Sequence, residues 1–107
     1  MNVKEQGYVK IYQNLVKWCY YRDIPVKNVY IHLILTAAQA PFQWEGKTIH
    51  TGQLITSYKA LANDLGLTIR QIRTAIKKLC LAGEISIETS NRNSIITLNN
   101  FDQYVTI

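Results

Sequence analysis

Residues 65–83 contain four basic side chains and no acidic one. A helix over residues 68–82, turning about 100° per residue, places five polar residues on one face and a sixth at its boundary. The five are Arg70, Gln71, Thr74, Lys77 and Lys78, and the sixth is Arg73. Guanidinium groups bind guanine edges, carboxamides bind adenine edges, and ammonium groups bind guanine or phosphate in a major groove about 12 Å wide. The pattern therefore predicts a helix that enters the major groove of DNA.

Position along this helix distinguishes two kinds of contact. The residues expected to meet base edges lie early on the exposed face and are Arg70, Gln71 and Thr74. The residues expected to bind phosphates are Arg73, Lys77 and Lys78. Phosphate contacts position a protein on DNA, whereas base contacts specify the sequence.

Three further residues are candidates for phosphate binding. Ser57 and Lys59 begin the preceding helix, where backbone amides and the helix dipole attract anions. Arg92 lies at the predicted tip of a β-hairpin, within reach of a phosphate or an adjacent minor groove. Simpler roles are also open, because Ser57 is a helix cap and a basic hairpin tip is often only solvated.

The elements that position these side chains are a helix-turn-helix over residues 57–82 and a hairpin over residues 84–98. Ser57 caps the first helix and Gly66 closes it. Thr68 and Gln71 form a T-x-x-Q capping box that begins the second helix, and Gly83 ends it. Two β-prone runs on either side of residues 90–93 predict the hairpin.

Apolar spacing predicts how the helices reach the core. The apolar face of the second helix comprises Ile69, Ile72, Ile76, Leu79 and Cys80, with Ala75 at its edge. A central core helix is predicted over residues 23–40, with Asp23 as its N-cap, Pro25 in its first turn and Pro41 at its end. Its core face carries Val26, Val29, Tyr30, Leu33, Ile34 and Ala37.

The remaining segments are short. We expect disorder over residues 1–6, a helix over residues 14–20, a loop over residues 41–52 and a strand over residues 53–56.

A chain of 107 residues fits one domain. Twelve Lys and Arg against seven Asp and Glu give a net charge of +5, which fits either a DNA-binding surface or a merely solvated basic one.

Chemistry other than binding is not indicated. Cys19 and Cys80 have neither CxxC spacing nor a Cys/His cluster for zinc, and we expect reduced, mostly buried thiols. The sequence has no paired carboxylates, nucleophile constellation or phosphate loop, so we expect no enzyme activity and no cofactor. It has no apolar leader and no run of about 18 apolar residues, so we expect a cytoplasmic protein without a membrane partner.

A series of short motifs on these elements resembles a known family. In chain order they are residues 7–10 (GYVK), Trp18, residues 29–38 (VYIHLILTAA), 44–46 (WEG), 52–57 (GQLITS), 61–62 (LA), 66–68 (GLT), 71–75 (QIRTA), Leu79, residues 83–85 (GEI), 95–101 (IITLNNF) and Tyr104. Their order and spacing resemble the N-terminal winged-helix domain of phage replisome organisers, which are similar to DnaD-like primosomal replication initiation proteins. The motifs span nearly the whole chain.

This resemblance implies an α+β winged helix-turn-helix over residues 1–107, with a helical core and a small antiparallel hairpin as its wing. It implies binding to double-stranded origin DNA during replication initiation, and it allows a homodimer. Members of the family continue into a further domain after residues 99–104, through which a helicase or helicase loader would be recruited. We therefore expect this chain to be an excised N-terminal domain or a short relative.

Other functions remain open from the residues alone. The same DNA-binding face suits a winged-helix transcriptional regulator that recognises a palindromic operator. A protein-interaction or self-association module of a primosome would use the basic helix against an acidic partner or a second copy. Aromatic residues such as Trp44 are also able to stack on single-stranded bases, although aromatic residues near core helices more often pack in the core.

Overall fold

The computed structural model describes residues 9–90 and 92–101 and the backbone of residues 105–106, which form an α+β fold. The helices are a 3₁₀ helix (Gln13–Lys17), α1 (Ile24–Thr36), α2 (Tyr58–Leu65) and α3 (Ile69–Leu81). The strands are β1 (Lys10–Ile11), β2 (Phe42–Trp44), β3 (Lys47–Ile49), β4 (Gln53–Thr56), β5 (Ile85–Thr89), β6 (Ser94–Leu98) and β7 (Val105–Thr106). The disorder expected over residues 1–6 lies outside the described residues. No helix in the described part of the chain has the length and apolar character needed to cross a membrane.

Helix α1 begins where the sequence predicts and ends earlier. The Asp23 carboxylate accepts a hydrogen bond from the Val26 amide at 3.4 Å, and Pro25 lies in the first turn. The prediction that the helix continues over residues 37–40 is wrong, because Ala37 takes an extended conformation with ψ 148°. The Ala38 amide instead donates to the Gln53 carbonyl at 2.8 Å. This long-range backbone pairing with the start of β4 replaces the last turn of the helix.

The helix predicted over residues 14–20 is a shorter 3₁₀ helix in the structure. It ends because Trp18 adopts an extended conformation, with ψ 142°. That change of direction directs the Trp18 side chain into the core, where its ring stacks on Tyr30 with centroids 4.5 Å apart and planes at 28°. Both side chains are buried, at 6% and 0% exposure.

A second hairpin, β2–β3, replaces the loop predicted over residues 41–52. Its strands pair in register from Phe42 opposite Ile49 to Trp44 opposite Lys47. The two turn residues both have positive φ, 45° at Glu45 and 77° at Gly46. A two-residue turn of this kind matches the right-handed twist of paired strands. The Glu45-Gly46 dipeptide is the sequence signal that could have predicted this hairpin in place of a loop.

A three-stranded antiparallel sheet contains the predicted strands, in the order β4-β6-β5. The last pair of the β5–β6 hairpin is Thr89 with Ser94, and Ser90, Arg92 and Asn93 lie in the turn between the two strands. The hairpin predicted over residues 84–98 and the strand over residues 53–56 are therefore confirmed. Their joining into one sheet through β6 was not predicted. The β1 and β7 backbones form a separate antiparallel pair.

Helices α2 and α3 follow the predicted caps closely. The Ser57 side chain accepts from the Ala60 amide at 3.1 Å, and Gly66 closes α2 in the left-handed conformation, with φ 68°. Both hydrogen bonds of the capping box between Thr68 and Gln71 are present. Helix α3 ends at Leu81. Ala82 is its C-cap residue, and Gly83 follows in the left-handed conformation with φ 75°.

The core lies between α1, α3 and the inner face of the three-stranded sheet. All six residues predicted on the core face of α1 are buried. On α3 the buried residues are Ile72, Ala75, Ile76 and Leu79. The prediction that Ile69 holds the helix to the core is wrong, because this first residue of α3 is 43% exposed. Ala75, predicted at the edge of the apolar face, is instead 1% exposed.

The two cysteines are free thiols in the structure. Cys19 is exposed, so the expectation of mostly buried thiols is wrong for this residue. Cys80, on α3, is partly buried, and burial raises the pKa of its thiol because the charged thiolate loses solvation.

Candidate nucleic-acid interface

The outward face of α3 presents three cations. Arg70, Arg73 and Lys77 are all exposed, and none forms an ion pair with any residue that the structure describes. The opposite side of the helix is buried against the core, so the cationic face is held in a fixed direction. An α-helix with its side chains is about 10–12 Å in diameter, which fits a DNA major groove about 12 Å wide.

Two polar side chains on this face have hydrogen bonds within the protein. The Gln71 Oε1 atom accepts from the Thr68 amide at 2.9 Å and from the Thr68 hydroxyl at 3.3 Å. A bidentate contact with adenine requires both the carboxamide oxygen and its NH₂ group. The predicted base-edge role of Gln71 is therefore limited to its Nε2 donor while the cap is intact. The Thr74 hydroxyl donates to the Arg70 carbonyl at 3.1 Å, which leaves its lone pairs and methyl group for a base.

Lys78 differs from the other basic residues because it forms an ion pair with Asp23, the N-cap residue of α1. Its Nζ atom lies 2.8 Å from the Asp23 carboxylate. This hydrogen bond lowers the pKa of Asp23 and raises the pKa of Lys78, since each charge stabilises the other. The positive charge of Lys78 is thus balanced within the protein, which weakens the predicted phosphate contact.

The Asp23–Lys78 pair lines a groove between α1 and α3. Its volume is about 220 Å³. The groove is lined by Asp23, Pro25, Val26, Arg70, Gln71, Thr74, Ala75 and Lys78. Asp23 is therefore the one carboxylate in the lining of this groove, directly beside the face proposed for DNA. Sequence reasoning identified Asp23 as a helix cap and had no signal for its position opposite Lys78.

Changing Asp23 to asparagine is expected to tighten binding to duplex DNA about threefold and to steepen the salt dependence by about 0.9. The change removes a negative charge from the groove and releases Lys78 for one additional phosphate. Asparagine is as good an N-cap as aspartate, so the start of α1 is retained. Titration of a fluorescent duplex by anisotropy measures both effects. Asp64→Asn, which makes the same change of charge on α2, is the control. Equal effects of the two variants would contradict a specific role for Asp23.

A second groove, on the other side of α3, brings together three of the predicted DNA-binding residues. Its volume is about 290 Å³. The lining residues are Ser57, Tyr58, Arg73, Thr89, Ser90, Arg92, Asn93 and Ser94. The start of α2, the middle of α3 and the β5–β6 turn therefore converge on one concave surface. Arg73, at the boundary of the polar face on sequence grounds, is the α3 cation directed to this groove.

The remaining predicted residues lie outside these two grooves. Lys59 is exposed on the first turn of α2, and Lys77 is exposed on α3 between the two sides of the helix. Tyr58, which lies between Ser57 and Lys59 at the start of α2, also lines the groove with Arg73 and Arg92.

No protein-family model, no curated protein and no solved structure matches this chain. Support for a function therefore comes from the residues and their geometry.

Proposed function

We propose that this chain is a winged-helix domain that binds double-stranded DNA. The order α1, β4, α2, α3, β5, β6 supports it, since a helix-turn-helix is followed directly by a hairpin. In this proposal α3 is the recognition helix, α2 lies across the backbone, and the β5–β6 hairpin is the wing. The β4 strand joins the wing through β6 and completes a small sheet under the helices.

One observation carries the proposal: the exposed face of α3 holds three cations that form no ion pair with a described residue, and it is flanked on both sides by grooves. Free guanidinium and ammonium groups on an anchored helix suit an anionic, grooved partner. The groove containing Arg73 and Arg92 lies between the start of α2, α3 and the β5–β6 turn, and in this proposal it accepts the phosphate backbone.

The proposed contacts follow from which donors remain available. Arg70, at the start of α3, has no ion-pair partner in the described part of the chain and is assigned to a base edge, with Thr74 contributing its methyl group and lone pairs. Arg73, Lys77 and Arg92 are assigned to phosphates. Ser57 caps α2, and the first amides of that helix offer a further phosphate site next to Arg73.

A role in replication initiation is the more specific part of the proposal, and it rests on the resemblance to phage replisome organisers. Several residues of the resembling motifs have structural tasks here. Trp18 stacks on Tyr30, and Gly46 lies in the β2–β3 turn. Gly52 packs against Phe101: a Cβ atom at this position would lie 3.5 Å from the Phe101 ring. These positions support a shared fold. The partners in replication, including a helicase or helicase loader and a second copy of the chain, are proposed from the resemblance.

The affinity for duplex DNA is expected to fall steeply with salt. If four or five phosphates are neutralised, log K should decrease with log salt at a slope of about −4, near 0.9 per contact. Anisotropy titrations of a mixed-sequence duplex between about 50 and 200 mM salt measure this slope. An affinity that does not change over this range would contradict binding through the basic face.

Footprinting on DNA that carries the coding region and its flanks distinguishes replication from transcription. Several repeated sites within one region would support an origin. A single palindrome upstream of a promoter would favour a regulator and contradict the replication role.

A further inference from the structure

The contacts proposed above for duplex DNA do not include the β2–β3 hairpin. It is a tight ribbon with a two-residue turn, and its strands are linked by a side-chain hydrogen bond from Gln43 to Thr48 at 2.9 Å. Ile49 is buried at 1% exposure and attaches the ribbon to the body of the protein. Most of the other residues of the two strands and the turn are exposed. A surface ribbon of this kind is available for a partner.

The register of the hairpin determines which side chains face the protein. Residues directly opposite each other, and residues two apart on one strand, share a face of an antiparallel pair. Trp44 and Lys47 are opposite each other, and both share the face of the buried Ile49. Gln43 and Thr48 lie on the other face, as their hydrogen bond requires. Trp44 and Lys47 are therefore directed toward the body of the protein near the tip of the ribbon.

At that tip the ribbon meets the β5–β6 turn and forms a third groove. Its volume is about 370 Å³. Its lining residues are Trp44, Glu45 and Lys47 from the ribbon and Ser90, Arg92 and Asn93 from the β5–β6 turn. The same three turn residues also line the groove that holds Arg73. A continuous surface therefore runs from α3 across the β5–β6 turn to the β2–β3 hairpin.

The chemistry of this third groove suits a phosphate backbone. Lys47 and Arg92 contribute two cations, and neither forms an ion pair with a residue in the described ranges. Ser90 and Asn93 are neutral polar neighbours, and Trp44 contributes a half-buried indole. Glu45 is the single carboxylate and lies on the exposed turn. The two cations outnumber the carboxylate. Arg92 also lines the groove beside α3, so the two grooves share this cation.

We propose that the β2–β3 hairpin is a second wing, in which Lys47 acts with Arg92 to hold the DNA backbone beyond the segment read by α3. This proposal rests on the proposed function, because it extends the same interface along the same duplex. The β5–β6 turn then lies between two phosphate-binding grooves, with Arg73 on one side and Lys47 on the other.

Loss of Lys47 is expected to weaken duplex binding about threefold to tenfold at moderate salt and to reduce the salt slope by about 0.9. Anisotropy titrations of the 107-residue chain against a duplex of about two helical turns measure both quantities. Lys17→Ala is the matched control, since Lys17 is an exposed lysine on the 3₁₀ helix outside these grooves. Glu45→Gln changes the charge of the same groove in the other direction and is expected to tighten binding.

Trp44 gives an independent readout of occupancy. Trp18 is buried and stacked on Tyr30, so a change in tryptophan fluorescence on adding duplex should come from Trp44. The change is expected in the wild-type chain and should be absent from a Trp44→Phe variant that binds the duplex. If the wild-type chain binds duplex but Lys47→Ala behaves like Lys17→Ala, the second wing is overturned while the proposed function stands. Failure of the wild-type chain to bind any duplex would instead overturn the proposed function itself.

Discussion

Replacing Arg70 and Lys77 together with alanine is expected to weaken binding to double-stranded DNA about 100-fold. Loss of an arginine from a base edge costs about 1–3 kcal/mol, and loss of a phosphate contact from lysine adds about 1 kcal/mol at moderate salt. Both side chains are exposed and have no ion-pair partner among the described residues, so their removal should leave the fold intact. Anisotropy titrations give the affinity, and circular dichroism verifies the helix content.

The two residues are expected to contribute differently to specificity. Arg70→Ala alone should reduce the preference for a specific duplex over a mixed-sequence one, because a base contact is lost. Lys77→Ala alone should weaken binding to both duplexes alike and reduce the salt slope by about one, because a phosphate contact is lost. The matched control is Lys17→Ala with Arg22→Ala, which removes the same two types of charge from outside the three grooves.

The same double variant separates DNA binding from protein interaction. If α3 instead meets an acidic partner or a second copy of the chain, the variant should lose assembly in sedimentation experiments while its DNA affinity stays unchanged. An unchanged DNA affinity, or a loss as large in the Lys17 and Arg22 control, would contradict the recognition helix. A loss confined to the Arg70 and Lys77 variant supports it.

Local signals account for what the sequence predicted well. The cap of α2 joins Ser57 to an amide three residues away, and the capping box of α3 joins Thr68 to Gln71 over the same distance. The two partners of each hydrogen bond are only three residues apart in the sequence, so both helix starts could be predicted. The β5–β6 hairpin was similarly evident from two β-prone runs around a polar turn.

Long-range contacts account for what the sequence did not reveal. The Asp23–Lys78 ion pair joins residues 55 positions apart. The early end of α1 depends on two backbone hydrogen bonds across the β2–β3 hairpin: the Ala38 amide donates to the Gln53 carbonyl, and the Ala38 carbonyl accepts from the Gly52 amide. Helix propensity is judged over a short stretch of sequence, which does not include these distant partners. The tertiary hydrogen bonds therefore override the helix propensity of residues 37–40. The position of Arg73 beside Arg92 depends likewise on how the β5–β6 hairpin folds back over α3.

A helical wheel gives the direction of a side chain around the axis and not the depth of the core at each point along it. This explains the error at Ile69, which shares its direction with buried residues but lies at the end of α3, beyond the part that α1 and the sheet cover. Its exposure is 43%, against 0% for Ile72 one turn later.

Ile72→Ala is accordingly expected to destabilise the fold by about 2–5 kcal/mol, the range for truncating a fully buried aliphatic side chain. Ile72 is on the buried face of α3, and its removal leaves a cavity between this helix and the rest of the core. Urea unfolding followed by tryptophan fluorescence measures the loss, since the buried Trp18 reports on the same core.

Ile69→Ala makes the same chemical change on the same helix and is expected to cost less than about 1 kcal/mol. Much of this side chain is already in water, and the higher helix propensity of alanine offsets part of the lost contact. The difference between the two variants thus measures how firmly the inner face of α3 is anchored, independently of any DNA. Comparable costs at the two positions would mean that α3 is not seated in the core through Ile72, and the fixed direction of its cationic face would lose its basis.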